Sequence, residues 1–365
     1  MTKNNEVRFL DLSVNNPQDR NDFHEALNRC MDHGQFVMGQ EISTLEKQLS
    51  VYVGRSFCIS VSSGTDAVYL ALKGIDIQPG DDVITTPLSW IATANAIKMT
   101  GANPVFCDIN DDLNLDPSSI EKLITNNTKA ILSVDYTGNM ADYDALGKIV
   151  KKYNLKLIED GSQAFGAEYL GKKCGSFGEV SAISHNPMKI FGGLGEIGSV
   201  YTNNQAIAEK IEILRYNGTV NKEFLKYPSL NFRADSLNSA FLQTRLKSLP
   251  RRLKRRDEIA KRYSEKLKNV CDTPKQTENS KRVFYTYTIQ IDERDQLSKY
   301  LAENKIETKI QHPLLMSEQP PYLECISNTP KAQQILKRVL CLPIHEGLSN
   351  EQVDYVIDKI LNFKN

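Results

Sequence analysis

The sequence predicts an α/β fold: a large domain with a mostly parallel sheet flanked by helices, and a smaller C-terminal α+β domain. Three observations support this prediction. Residues 57–204 alternate short Val- and Ile-rich runs with helix-length stretches. After Asn231, long helical patterns replace that alternation. The chain has 365 residues, 40% of them hydrophobic and 25% charged, which are the size and composition of a two-domain globular protein.

Seven runs are predicted strands because they are short and rich in β-branched residues. They are Phe57–Val61, Asp82–Thr85, Pro104–Cys107, Ala130–Val134, Leu155–Ile158, Val180–Ser184 and Gly198–Tyr201. Helices are predicted between the first five, at Asp66–Lys73, Ile91–Thr100, Ser118–Thr125 and Asp142–Tyr153. Strand–helix–strand repetition favours parallel pairing. The last two strands are joined by the irregular stretch Pro187–Glu196, where no crossover helix fits.

The C-terminal part has a different pattern. It predicts helices at Ser236–Leu249, ended by Pro250, and at Leu253–Val270. A strand at Arg282–Ile291 and helices at Glu293–Asn304 and Asn350–Leu361 follow. We therefore place the domain boundary near residue 245, with a large ligand-binding domain at 1–245 and a small domain at 246–365.

Composition and charge exclude several classes of function. Lys+Arg and Asp+Glu both number 45, so the net charge is zero and nothing draws the chain to nucleic acid or to anionic membranes. Apolar runs of membrane-spanning length are missing from the sequence. The N-terminus lacks a signal-peptide pattern, and the seven cysteines are scattered as reduced thiols would be. We expect a cytoplasmic protein, and the zero net charge is compatible with self-association.

Two further patterns are interpreted as structural. The basic stretch Arg245–Arg256 is read as the solvated face of a linking helix, although a phosphate or nucleic-acid site is the alternative. Negative charges that compensate it follow at Asp257, Glu258 and Glu265. The five histidines show no metal-ligand spacing beyond Cys30 and His33, so no metal site is predicted.

Residues Gly193–Gly198 fit the G-x-G-x-x-G pattern of dinucleotide-binding folds. That pattern binds pyrophosphate only where a strand precedes it and a helix follows. Here an irregular stretch precedes the glycines and a predicted strand follows, so a dinucleotide oxidoreductase is rejected.

Chemically useful residues stand at the carboxyl ends of four predicted strands. Lys189 follows one strand in a glycine-rich turn, where desolvation would make it a Schiff-base nucleophile. Ser63-Gly64-Thr65 opens a helix, whose N-terminus favours a phosphate. Asp160 could keep a pyridine nitrogen protonated, and Trp90 could stack on a flat ring. Each residue alone could be an ordinary loop, cap or core residue, but together they would suit pyridoxal phosphate.

At this point the chain resembles the DegT/DnrJ/StrS-type sugar aminotransferases, fold type I enzymes that use pyridoxal 5'-phosphate. The resemblance covers about residues 9–361. The matching segments are 34–41, 63–67, 86–94, 101–108, 159–167, 184–189, 231–233 and 342–345.

The resemblance implies a role for each matching residue. Lys189 corresponds to the lysine that binds the cofactor covalently, Asp160 to the partner of the ring nitrogen, and Gln163 to a residue near the phenolic oxygen. Trp90 corresponds to the stacking aromatic. The phosphate ligands would be Ser63, Gly64, Thr65 and Ser184, with Asn231 supplied by a neighbouring subunit. The last match implies a homodimer with shared active sites.

The resemblance also implies a substrate class, an amino donor and several alternatives. It favours transfer of an amino group from glutamate to a 3- or 4-keto group of a nucleotide-linked deoxysugar. The segment at Gln311 and His312 departs from the family pattern where substrate is usually bound, so these two residues are candidate substrate ligands. A cyclitol ketone, a pyridoxal-dependent sugar dehydratase and a non-catalytic sensor remain open. The dehydratases carry histidine where this chain has Lys189, which disfavours them.

Overall fold

The computed structural model describes residues 6–364; residues 1–5 and 365, the outer ends of the two predicted domains, lie outside the described residues. The helices are α1 (Pro17–His33), α2 (Gln40–Val53), α3 (Gly64–Gly74), α4 (Ala92–Met99), α5 (Tyr143–Tyr153), α6 (Gln205–Arg215), α7 (Ser236–Leu267), α8 (Arg294–Glu303), α9 (Pro330–Leu336) and α10 (Asn350–Lys364). The strands are β1 (Phe57–Val61), β2 (Asp82–Thr85), β3 (Asn103–Cys107), β4 (Thr128–Val134), β5 (Lys156–Asp160), β6 (Glu168–Tyr169), β7 (Lys172–Lys173), β8 (Val180–Ser184), β9 (Gly198–Thr202), β10 (Thr219–Val220), β11 (Phe224–Leu225), β12 (Ser280–Lys281), β13 (Tyr287–Gln290), β14 (Ser327–Asn328) and β15 (Val339–Leu342).

The large sheet has the strand order β1-β9-β8-β5-β4-β2-β3-β14. Its pairs are parallel except where β9 lies antiparallel to both β1 and β8. This exception follows from the sequence, because β8 and β9 are joined without a helix. A parallel neighbour would need a crossover connection that brings the chain back to the opposite edge of the sheet. The parallel strands therefore all end at one edge of the sheet.

Helices cover both faces of this sheet. One apolar core joins a face to α2, α5 and the first half of α7, through residues such as Leu49, Leu146 and Leu249. A second core joins the other face to α3, α4 and α6. Strands buried on both faces need apolar residues at nearly every position, and this is why the runs read as continuous rather than alternating.

A third core forms from the C-terminal part of the chain. It contains Ile259, Tyr263 and Leu267 from the second half of α7, residues of α8, α10, β13 and β15, and Val7 from the N-terminal segment. Because α7 contributes to two cores, the predicted boundary at residue 245 falls inside a continuous helix and stays a prediction.

Three sequence-based expectations about individual elements were wrong. Helix α7 does not end at Pro250 but continues to Leu267, since its apolar residues on both sides of the proline are buried. The helix expected at Ser118–Thr125 is two short 3₁₀ turns, Pro117–Ser119 and Glu121–Leu123. The strand expected at Arg282–Ile291 is limited to β13, because Phe284 adopts a left-handed conformation with φ of 51°.

The basic stretch of α7 also differs from the expectation of a solvated face. Arg252 and Arg256 are buried, with 6% and 2% of their surface exposed. Both are within ion-pair distance of Glu346, about ninety residues away in sequence. Within residues 6–364, no helix has both the length and the hydropathy needed to cross a membrane.

Candidate active site

The carboxyl ends of the parallel strands bring most of the predicted site residues to one edge of the sheet. Ser63 follows β1, Trp90 follows β2, Asp160 ends β5 and Lys189 follows β8. This is the edge at which open α/β sheets bind ligands.

The first turn of α3 forms a narrow cradle. Ser63 caps the helix, its Oγ accepting a hydrogen bond from the Asp66 N–H at 3.1 Å. A Cβ on Gly64 would lie 2.3 Å from the Cβ of Ser184, so Ser184 lies directly against this turn. The N–H groups of Gly64 and Thr65 belong to the first turn, where a helix leaves its donors unpaired. Together with the Ser184 hydroxyl they suit a phosphate dianion.

Lys189 lies in a turn that buried contacts hold in place. The Lys189 N–H donates to the Asn186 carbonyl at 2.8 Å. His185 is buried beneath the turn, with Nδ1 3.2 Å from the Phe191 carbonyl oxygen. Burial lowers the pKa of His185 to about 4, so this imidazole is neutral at pH 7. The Nζ atom of Lys189 lies 4.7 Å from the ring centroid of Tyr285, which fixes its direction.

Asp160 is a buried carboxylate, 5% exposed. Its Oδ1 accepts from the Ser162 N–H at 3.1 Å, and its Oδ2 lies 3.4 Å from the Thr93 hydroxyl. Burial raises the pKa of Asp160, while the Ser162 hydrogen bonds and the charge of Lys189 act in the opposite direction. A carboxylate offers about four acceptor positions, so a further donor such as a protonated ring nitrogen can be accommodated.

Gln163 presents its amide nitrogen as a donor. Its Oε1 accepts a hydrogen bond from the Thr137 N–H at 3.0 Å, which leaves the NH₂ group to bind an oxygen. Thr137 has a φ of 58°, a conformation that a β-branched residue rarely adopts. Arg282 donates to the Thr137 hydroxyl at 2.7 Å, so the strained turn is held from two sides.

His312 lies between two aromatic rings next to this group. Its ring centroid is 5.7 Å from that of Tyr136 and 6.3 Å from that of Trp90. Burial and the nearby charges of Lys189 and Lys309 lower the pKa of His312 to about 3, so it is neutral. Its Nε2 is buried and has no hydrogen-bond partner among residues 6–364. An unpaired nitrogen of this kind suits a polar group of a substrate.

Three predicted residues are less enclosed within a single chain. Trp90 is 61% exposed, and Gln311 is half-buried beside His312. Asn231 is exposed, and its Oδ1 accepts from the Arg233 Nε at 2.8 Å. The segment around Asn231 runs beside the end of β1, where the Ser62 N–H donates to the Phe232 carbonyl.

Several residues that shape the site were not predicted from sequence. Thr93 could have been found, since it lies three residues after Trp90 at the start of a helix and therefore near the same sheet edge. Tyr285 and Arg282 carried no local signal, because chain topology alone brings them to Lys189 and Thr137.

Two groups of potential metal ligands occur in the described part of the chain. They are Cys30, His33 and Glu41, and Asp135, Glu159 and Cys174. In the first group, His33 Nδ1 accepts from the Gln35 N–H at 3.0 Å, so Nε2 carries the proton that bonds to Glu41 at 2.9 Å. No nitrogen lone pair of His33 is then free for a metal.

The second group consists of the buried thiol of Cys174 and two buried carboxylates that are already hydrogen-bonded. Asp135 accepts from the Ala141 N–H at 2.9 Å, and Glu159 accepts from the Gly175 N–H at 2.7 Å. Burial and the neighbouring charge of Glu159 raise the pKa of Asp135 well above its usual range. A raised pKa disfavours the ionised form of the carboxyl, which is the form that binds metals.

The fold and the site together define an enzyme class. The carboxyl edge of one sheet carries a lysine, a buried carboxylate, an amide donor and a phosphate cradle. These suit the four parts of pyridoxal phosphate that a protein must hold: the aldehyde carbon, the ring nitrogen, the phenolic oxygen and the phosphate. This is the arrangement of a fold type I pyridoxal-phosphate enzyme.

Comparison with known proteins agrees with this class. The profile of the DegT/DnrJ/EryC1/StrS aminotransferase family matches residues 17–361. The chain is 37% identical over 358 residues to the dTDP-3-amino-3,6-dideoxy-alpha-D-galactopyranose transaminase of Aneurinibacillus thermoaerophilus, covering 97% of this chain and 98% of that protein. It is 34% identical over 365 residues to a protein of Geobacillus stearothermophilus named "Pleiotropic regulatory protein", covering 98% of each. The crystal structure of S. venezuelae DesV in complex with a ketimine intermediate superposes with a TM-score of 0.95 at 33% identity, covering 98% of each chain.

The chain belongs to the DegT/DnrJ/EryC1/StrS aminotransferase family. Family membership confirms the predicted α/β fold, the aminotransferase activity and pyridoxal phosphate as the cofactor.

Proposed function

We propose that this aminotransferase transfers an amino group from glutamate to a keto group of a nucleotide-linked deoxysugar, and that it works as a homodimer. The observation that carries the proposal is the placement of Lys189 and the buried Asp160 at one edge of the sheet, beside the cradle closed by Gly64 and Ser184.

Each part of the cofactor would be held by a different strand end. Lys189 would bind it covalently through Nζ, and Asp160 would accept a hydrogen bond from the ring nitrogen. The phosphate would lie against the N–H groups of Gly64 and Thr65 and the Ser184 hydroxyl. When bound, pyridoxal phosphate supplies an electron sink that stabilises negative charge on the reacting carbon.

The protein's own groups then move the proton and control its direction. Lys189, once displaced by the donor amine, is a general base and acid for the proton on the reacting carbon. The ring of Tyr285 keeps Nζ on one side of the site, because it contacts the ammonium at 4.7 Å. Asp160 stays buried, and the charge of this lysine favours its ionised form, so the charge that favours the reaction is kept away from water.

The sugar would bind on the His312 side of the site. The neutral His312 has an unpaired Nε2 that can bond to a sugar hydroxyl or keto oxygen, and Gln311 adds an amide next to it. Trp90 forms an exposed wall against which the sugar ring can pack. Amination at the 3-position is favoured by the similarity to a transaminase whose name describes a 3-amino product.

A second copy of the chain would complete the site. The β10–β11 hairpin and the residues after it expose Phe224, Leu225 and Leu230, at 66%, 58% and 68%. Exposed apolar groups of this kind are common where two subunits meet. Asn231 follows directly and is exposed, so it can reach the phosphate cradle of a partner.

The function is tested first by spectroscopy. Purified protein is mixed with pyridoxal phosphate, its absorbance is recorded, and L-glutamate is added. We expect a band of the lysine-bound cofactor that glutamate removes. Lys189→Ala should lack this band and show no transamination, whereas Lys151→Ala, an exposed lysine in the last turn of α5, should behave as wild type. Transamination by Lys189→Ala would refute the proposal.

The substrate is then identified with keto sugars that differ in one feature at a time. A 3-keto and a 4-keto deoxysugar are each supplied on dTDP, UDP and GDP, with a cyclitol ketone for comparison. Amination of a nucleotide-linked sugar alone supports the proposal. Amination of the cyclitol alone would support a cyclitol aminotransferase. Loss of water without amination would support the dehydratase. Cofactor binding without turnover would support the sensor.

Shared active sites are tested by mixing two defective variants. Lys189→Ala and Asn231→Ala are co-expressed with different tags, and the mixed dimer is purified. If Asn231 acts across the interface, about half of the sites in the purified mixed dimer are active, because one of its two sites then contains both wild-type residues. Activity no higher than that of the separate variants would refute a shared site.

A further inference from the structure

An unusual concentration of positive charge is buried in the middle of α7. Arg245, Arg252 and Arg256 lie on one side of the helix, with 11%, 7% and 3% of their side chains exposed. All three face one carboxylate, Glu346. Its oxygens lie 4.0 Å from Arg245 Nη1 and 3.6 Å from Arg256 Nη2, and Arg252 is in closer contact. Among the described residues, Glu346 is the one carboxylate within 4.0 Å of all three guanidinium groups.

The surplus of charge is visible in the hydrogen bonds as well. Arg245 Nε, Arg252 Nη1 and Arg256 Nε are buried and have no acceptor among residues 6–364. Burial, together with the like charge of Arg252, lowers the pKa of Arg245 to about 10. Buried donors without acceptors are uncommon in folded proteins, and they often mark the place of a missing ligand.

A cavity opens beside this cluster. It has a volume of about 300 Å³ and is lined by Arg251, Arg252, Lys254, Arg255, Glu258 and Glu346. Cations outnumber carboxylates in this lining by two to one. On its rim, Lys254 is exposed and forms no ion pair within the described chain.

We propose that this cavity is a binding site for a phosphate-class anion, separate from the active site. The planar, multidentate guanidinium groups match phosphate oxygens, and the low exposure of Arg252 keeps it pre-oriented. The site is distinct from the Gly64–Ser184 cradle, because its lining comes from α7 and the loop at Glu346 and not from α3 or β8. Inorganic phosphate and the diphosphate of a nucleotide share the required chemistry.

The anion would also act on a contact of the active site. Arg256 Nη1 donates to the carbonyl oxygens of Phe284 at 2.9 Å and Ile344 at 2.9 Å, and lies 3.4 Å from that of Tyr285. Tyr285 is the residue whose ring faces Lys189. Arg256 therefore connects the charged cluster to the backbone of the residue that contacts Lys189.

The proposal is tested by calorimetric titration of the cofactor-loaded protein with inorganic phosphate and, separately, with pyrophosphate at constant ionic strength. Loading with pyridoxal phosphate occupies the cradle, so saturable binding that remains comes from another site. We expect saturable binding that Lys254→Gln weakens by about three- to tenfold, while Lys247→Gln, an exposed lysine on the same helix outside the cavity, has no effect. Tighter binding of pyrophosphate than of phosphate would identify the diphosphate as the ligand.

A variant that is expected to bind phosphate more tightly distinguishes a binding site from a cluster with only a structural role. Glu346→Gln removes the competing carboxylate, so it should bind phosphate more tightly than wild type, and phosphate should raise its melting temperature more. A merely structural cluster would give a destabilised Glu346→Gln with no response to phosphate. Absence of saturable binding in wild type, or equal effects of Lys254→Gln and Lys247→Gln, would overturn the proposal.

Discussion

Replacing Gly64 by alanine tests the phosphate cradle most directly. The added Cβ would lie 2.3 Å from the Cβ of Ser184, and ordinary contacts begin at 3.4 Å, so the first turn of α3 or the end of β8 must move by about 1.1 Å. Strand β8 is paired on both sides, to β5 and to β9, so we expect the helix turn to move. Overpacking of this kind costs about 1–3 kcal/mol of stability.

The same displacement should weaken cofactor binding. A shift of this size lengthens the hydrogen bonds from the Gly64 and Thr65 N–H groups beyond their useful range. Hydrogen bonds to charged groups contribute about 1.5–3 kcal/mol each, so losing one of them lowers the affinity for pyridoxal phosphate by about 10- to 100-fold. The assay is a fluorescence titration of the cofactor-free protein with pyridoxal phosphate.

The chain provides a matched control for this substitution. Gly147 lies within α5, and a Cβ at this position would meet nothing within 4 Å. Gly147→Ala should leave cofactor affinity unchanged and raise stability by about 0.5–1 kcal/mol, because glycine is unfavourable inside a helix. If Gly64→Ala binds pyridoxal phosphate as tightly as Gly147→Ala does, the cradle is not the phosphate site.

Three further predictions concern charge and backbone. Asp160→Asn should lower kcat about 10²- to 10³-fold by removing the buried charge, and Trp90→Leu should cost far less; equal losses in steady-state assays would contradict this. Although burial acts in the opposite direction, Arg252 and Arg256 lower the pKa of Glu346 from 4.5 to about 2, so this carboxylate stabilises the fold by about 3 kcal/mol above pH 4.5. That stability should be lost as the pH falls from about 4.5 towards 2, and urea unfolding of Glu346→Gln should show a weaker pH dependence over this range; an unchanged dependence would argue against the assigned shift. Pro250→Ala should stabilise the protein by about 1–2 kcal/mol, measured by urea unfolding, because it restores a helical hydrogen bond in α7; a loss of stability would mean that the helix needs the proline.

The strand ends could be predicted because the signals are local. Lys189, Asp160 and Gly64 each follow a β-branched run closely, and parallel strands carry their ends to the same edge. The lack of a crossover helix between Pro187 and Glu196 likewise indicated that β9 departs from the repeated strand–helix–strand pattern. Local sequence signals were therefore enough to predict that these residues lie at one edge of the sheet and which strand each of them follows.

Long-range packing could not be predicted from a single sequence. The side chains of Arg252 and Glu346 meet across 94 positions, and no local pattern distinguishes a buried arginine from a solvated one. Helix α7 continues through Pro250 because burial on both sides outweighs a local cost of about 3 kcal/mol. The contact of Tyr285 with Lys189 likewise depends on the left-handed turn at Phe284, which breaks a pattern that reads as a strand.

The position of Val7 constrains the order in which the protein can be completed. Val7 is buried in the third core and pairs with Ile306, so it meets this partner only after about 300 more residues have been added. The two cores of the large sheet draw mainly on residues 45–249, so all of its strands except β14 can assemble earlier on the ribosome. The segment around Val7 must then stay exposed until the later elements of the third core emerge. A nascent chain stopped before α8 should keep this segment open to proteases, although seven of the eight strands of its large sheet are already present.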